Sequence, residues 1–123
     1  MKKILLVDDE IDILGSLGNI LKSNNYEVSS TMEGKRVMGL AKQIAPDVII
    51  LDVLMPDMDG TEVALELEKD PATQDIPVIF LTGMLPKEKE LPYKKTNALH
   101  YAVAKPVTAE ELLQVIETAL KGG

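Results

Sequence analysis

The chain has 123 residues, 46% hydrophobic and 27% charged, a composition that supports one buried core and excludes disordered and collagen-like classes. Its net charge of -7 repels phosphate backbones and anionic headgroups at long range, against a free-standing nucleic-acid or membrane-surface binder. The absence of cysteine rules out disulfides, thiolate metal sites and thiol nucleophiles. The basic start Met1-Lys2-Lys3 precedes an apolar run confined to residues 4–7, too short for a signal core or a membrane span, so a soluble cytoplasmic protein is expected.

In chain order, short apolar runs occupy residues 4–7, 26–30, 48–51, 76–81 and 100–104. The first, third and fourth are continuous and rich in Leu, Ile and Val, as strands buried on both faces of a parallel sheet are; the second and fifth are more mixed, as at sheet edges. Between the runs lie helical patterns. Ile11, Leu14, Leu17 and Leu21 form one stripe, and Leu112, Leu113, Ile116 and Leu120 another, the latter opened by a Thr108 and Glu111 capping box. Residues 62–69 are rich in strong helix formers, and residues 34–44 carry a weaker helical pattern. In residues 86–97, Pro92 lacks an amide donor and opposes a continuous helix, so a short or broken element is expected. No linker or repeat divides the chain, and one domain is expected over residues 1–123.

Strand and helix alternating in this way predict an α/β fold: a doubly wound, five-stranded parallel sheet with helices on both faces, joined by right-handed crossovers. Ligands of such sheets bind beyond the carboxyl ends of the strands. Asp8, Asp9 and Glu10 follow the first run, Asp52 the third, Thr82 the fourth, and Lys105-Pro106 the fifth. Each has a plainer reading alone: a carboxylate after a strand often caps the next helix, and a lone threonine or lysine is usually a surface group. Asp52 resists it, because an ionised group among Val, Ile and Leu costs several kcal/mol (roughly) unless paired or metal-bound. Together, three carboxylates repel and require a cation. An all-oxygen donor set suits Mg²⁺, Lys105 and Thr82 suit phosphoryl oxygens, and a carboxylate can attack phosphorus.

The pattern resembles the receiver domain of two-component response regulators over essentially the whole chain. The matching residues are Asp8-Asp9, Asp52 with Met55-Pro56 and Asp59-Gly60, Thr82-Gly83, and Lys105-Pro106, in order at strand ends. The resemblance implies a flavodoxin-like (βα)5 fold with Asp52 as phosphoacceptor. It further implies Mg²⁺ held by Asp8, Asp9, Asp52 and the backbone carbonyl of Leu54, with Thr82 and Lys105 contacting the phosphoryl group and a cis Lys105-Pro106 bond. A phosphohistidine donor would transfer its phosphoryl group to Asp52 and switch the domain. The implied partners are a sensor histidine kinase or histidine phosphotransfer protein, with an effector domain, a protein target or a second copy also allowed. The chain would be no enzyme beyond its own phosphorylation and dephosphorylation.

Two positions depart from the family. Ala102 stands where an aromatic residue usually precedes the lysine by three, and neighbouring Tyr101 must point to the opposite face unless a bulge re-aims it. Pro86 and Pro92 fall where the family places its fourth helix, so an unusual partner surface is expected, and because Ala102 leaves room but no lever, signalling is expected to rely on rearrangement of residues 83–97. Two rivals stay open: a pseudo-receiver binding module, which usually lacks an acid or the lysine, and a haloacid-dehalogenase-like phosphohydrolase, which wants an acid where Leu54 stands. His100, Met55, Met58 and Met84 read as structural or packing residues, and Lys87, Lys89, Lys94 and Lys95, alternating with Glu88 and Glu90, as a solvated face.

Overall fold

In the computed structural model the described residues are 1–83, the backbone of 93–95, and 99–122. Strands β1 (Lys3–Val7), β2 (Glu27–Thr31), β3 (Val48–Asp52), β4 (Val78–Thr82), β5 (Tyr93–Lys95) and β6 (His100–Ala104) form one sheet in the order β2-β1-β3-β4-β6-β5. The five expected strands pair in parallel, and β5 adds a short antiparallel edge against β6, with Lys94 opposite Ala102. The rest of the expected fourth-helix region, with Pro86, Pro92 and Met84, lies outside the described residues, and so does the proposed rearrangement of residues 83–97.

β1, β3 and β4 are apolar without a break because both sheet faces are covered. On one face Ile4, Leu6, Ile50, Ile79, Leu81, Tyr101 and Val103 meet α1 (Ile11–Ser23) and α4 (Ala109–Leu120). On the other, Leu5, Val7, Ile49, Leu51, Phe80 and Ala102 meet α2 (Val37–Ile44) and α3 (Gly60–Lys69). Neighbouring residues of each strand serve opposite layers, as a two-residue period requires. Tyr101 is accordingly buried toward α1 and α4, and no bulge turns it toward the face of Ala102.

Boundaries follow local chemistry. β4 starts at Val78 and not Ile76, because Pro77 has no amide to donate to the ladder; its carbonyl instead accepts from Ile49 N at 3.0 Å. A 3-10 turn over Gly34–Arg36 precedes α2, which ends on left-handed Ala45 before Pro46. The expected capping box of α4 is present, with Glu111 N donating to Thr108 Oγ1 at 3.1 Å and Thr108 N to Glu111 Oε1 at 2.9 Å. In α1, Leu17 and Leu21 are buried and Ile13 and Leu14 pack against the core, but Ile11 at the helix start is 69% exposed.

Candidate functional site

The strand order reverses between β1 and β3, and the residues just past their carboxyl ends form an open cleft at that point. Asp8 follows β1, Asp52 ends β3, Thr82 ends β4 and Lys105 follows β6. Asp8 is fully buried: its Oδ1 accepts the Glu10 amide at 2.9 Å, while its own amide donates to Thr31 O at 3.3 Å. Asp52 is almost as enclosed, and its Oδ1 accepts the Leu54 amide at 3.3 Å.

The Lys105 ammonium closes the arrangement. Its Nζ lies 3.2 Å from Asp8 Oδ2, 3.3 Å from Asp52 Oδ2 and 3.7 Å from Glu10 Oε1. Lys105 N donates to Thr82 O at 2.9 Å, and the following Lys105-Pro106 bond is cis, as the resemblance implies. Asp9, Glu10, Asp52, Val53, Leu54, Thr82, Gly83 and Lys105 line a cleft of ≈ 250 Å³. Every residue expected at the site is therefore at one edge of the sheet.

The electrostatics follow from enclosure. Burial, and then the Asp8 charge, push the Asp52 carboxyl above the ordinary carboxylate range, and the nearby Lys105 only partly offsets them. Burial alone would lower the Lys105 ammonium; Asp8 and Asp52 outweigh it and hold the group above the ordinary lysine range. One cation thus faces several carboxylates. Ligand oxygens of Asp8, Asp9 and Glu10 lie within 4.8 Å of one another, and Asp8 Oδ2 is buried beside Lys105 with no aligned hydrogen bond. A hard divalent cation fits that surplus of oxygen donors and negative charge.

The structure adds residues that sequence reading left unassigned. Glu10 joins the acidic group, and its adjacency to Asp8 and Asp9 was the available signal. Gly60 sits so close beneath the end of β3 that a Cβ would overlap the Asp52 carbonyl oxygen and lie 2.9 Å from Val53 Cα. Asp59 is a helix cap, accepting Thr61 N at 2.8 Å. The Asp-Gly pair after β3 thus brings α3 down against the strand that carries Asp52. On the α2 and α3 face, Phe80 stands opposite Ala102 in register, its ring edge-on to His100 at 5.5 Å. His100 in turn lies 3.2 Å from Glu68 of α3, in keeping with a structural role.

A doubly wound parallel sheet with buried acids and a lysine at its switch point is the architecture of receiver domains. The chain belongs to the response regulator receiver domain family, whose model matches residues 4–117. It is 34% identical to Protein PilH of Pseudomonas aeruginosa over 99% of this chain and 100% of that one. It is 32% identical to the DNA-binding dual master transcriptional regulator RpaA of Synechocystis sp., over 98% of this chain but only 50% of that protein. Among solved structures, the chemotaxis protein CheY4 of Vibrio cholerae matches at a TM-score of 0.83 and 29% identity, covering 97% of this chain and 98% of that one. Among the described residues no helix is long and apolar enough to cross a membrane.

Proposed function

We propose that Asp52 accepts a phosphoryl group from a phosphohistidine of a sensor kinase or histidine phosphotransfer protein, in a reaction that depends on Mg²⁺. The observation that carries this reading is the placement of Lys105 Nζ at 3.2 Å from Asp8 and 3.3 Å from Asp52, in a cleft that also exposes Thr82. A carboxylate with raised proton affinity is the better nucleophile. One Asp52 oxygen forms the bond to phosphorus as the phosphorus–nitrogen bond breaks, and the electron pair returns to the imidazole, which takes up a proton. Lys105 leaves the carboxylates to neutralise one phosphoryl oxygen, and the Thr82 hydroxyl donates to another.

Asp8, Asp9, Asp52 and the Leu54 carbonyl would hold the metal. Mg²⁺, when bound, supplies the positive charge that draws the donor phosphate against these acids. The acyl phosphate carries about 1.5 to 2 negative charges beside Asp8, where the free carboxylate carried one. Relief of that repulsion drives the local rearrangement read by a protein target or effector domain. The domain turns over no outside substrate and changes only itself. A DNA-binding output, as in the name of RpaA, would belong to a segment outside this acidic domain, which we place in the cytoplasm with its donor.

Leu54 in place of an acid disfavours the phosphohydrolase rival, and the complete set of acids and lysine disfavours a pseudo-receiver. Incubation with acetyl phosphate and Mg²⁺, followed by intact mass measurement, is expected to give one phosphoryl adduct that Asp52→Asn abolishes. No adduct, or one that survives the substitution, overturns the reading.

A further inference from the structure

Asp57 carries no role in the reading above, yet its carboxylate ties two of the loops around the cleft together. Its Oδ1 accepts Gly34 N at 3.2 Å and its Oδ2 accepts Lys35 N at 3.1 Å, across 23 and 22 residues of sequence. These bonds, that from Lys35 foremost, hold the Asp57 carboxyl below the ordinary range, so the acceptor is charged at neutral pH. The same two loops also touch through apolar atoms. A Cβ at Gly34 would stand 3.1 Å from Met58 Cβ and 3.2 Å from Met55 Cε, so glycine lets the loops close on each other.

The far side of the clamp leads back to the acids. Glu33 N donates to Thr31 Oγ1 at 3.2 Å, and Thr31 O accepts the Asp8 amide at 3.3 Å. A continuous series of bonds therefore runs from Asp8, through residues 31–35, to Asp57. The loop that follows β3 is anchored at its other end by Gly60 N donating to Val53 O at 2.8 Å. Leu54 lies between these anchors, past the last ladder bond of β3, where sheet pairing no longer sets its distance from Asp8.

We infer that Asp57 is a positioning residue: by clamping the β3–α3 loop to the turn before α2, it fixes the Leu54 carbonyl relative to Asp8 and Asp9 and so sets the affinity for Mg²⁺. The inference rests on the metal reading of the proposed function. Asp57 touches neither metal nor phosphoryl group and acts through the loop alone. Losing a partner bonded directly to a metal ligand typically weakens metal binding by roughly 10- to 100-fold, and Asp57, one step further out, should fall at the lower end.

Mg²⁺ titration by calorimetry, with amide exchange on the metal-free chain, tests this. Asp57→Ala is expected to speed exchange at Gly34 and Lys35 and to weaken Mg²⁺ binding by roughly 10-fold. Asp57→Asn, which keeps one acceptor oxygen, is expected to fall between. Thr73→Val serves as the stability control, since it removes the buried bond from Thr73 Oγ1 to Leu67 O at 2.7 Å, away from the cleft, and should leave Mg²⁺ affinity unchanged. Faster exchange at Gly34 and Lys35 with unaltered Mg²⁺ binding in Asp57→Ala overturns the inference. An equal loss of Mg²⁺ affinity in Thr73→Val overturns it as well, by making the effect one of general stability. A wild-type chain that binds no Mg²⁺ removes the metal reading itself, a result distinct from either of these.

Discussion

Asp52 Oδ2 lies 3.3 Å from Lys105 Nζ, and still the Asp52 carboxyl sits above the ordinary carboxylate range, because burial and Asp8 outweigh the lysine. Ionising Asp52 in the folded chain therefore carries a cost that the unfolded chain does not. A carboxyl whose folded value is raised favours folding when protonated, so its cost appears as pH rises through that value and is absent below the unfolded value of 3.8.

Asp52→Asn removes this cost while keeping an oxygen to accept the Leu54 amide. The variant is expected to melt higher than the wild type at pH 7, with the gap closing as pH falls toward 3.8. Thermal unfolding of both proteins across that window is the measurement. A gap that widens on acidification, or a less stable variant at pH 7, contradicts the electrostatic account.

Gly60→Ala tests the close approach of α3 to β3. The added methyl meets the Asp52 carbonyl oxygen and Val53 backbone, neither of which is the end of a flexible side chain. Overpacking of this kind costs about 1–3 kcal/mol, to be read by urea unfolding. Because the clash displaces the end of β3, the rate of phosphorylation by acetyl phosphate should drop too. A variant of wild-type stability would mean that the loop yields freely.

Burial lowers the His100 imidazole from its ordinary 6.5, against the raising effect of Glu68. A histidine with a depressed folded value contributes stability that is complete above 6.5 and is lost as pH falls through the folded value. His100→Gln should therefore show a shallower loss of stability than the wild type on acidification below that point. Parallel slopes for the two proteins would remove His100 as a source of the acid sensitivity.

At the end of α2, Ala45 adopts φ 48 and ψ 63, a left-handed conformation that strains a side chain with a Cβ. Ala45→Gly relieves that strain and loses some chain entropy in return, for a net gain of about 0.5 kcal/mol. The check is the urea midpoint, which should rise with an unchanged slope.

Apolar runs placed the five parallel strands, apolar stripes the helices at 11–23 and 109–120, and helix-forming composition the helix at 60–69, each to within a few residues. α1 begins at Ile11, as the stripe suggests, yet Ile11 itself is exposed, since a stripe shows which residues share a face but not where the covering layer ends. β5 had no comparable signal: three residues with two lysines pair only because the edge of β6 offers free backbone groups.

The site divides along the same line. Acids, hydroxyl and lysine at successive strand ends are determined by the sequence, because a parallel sheet sends all its carboxyl ends to one edge. Tertiary structure decided which of them meet and at what cost: Lys105 reaches Asp8 and Asp52 only through the geometry after β6, and the proton affinity of Asp52 depends on how completely the fold excludes water from it. It also decided what holds the loops. Asp57 and Gly34 are surface-like letters 23 residues apart, and their hydrogen bond exists because two crossovers bring two loops together above the sheet.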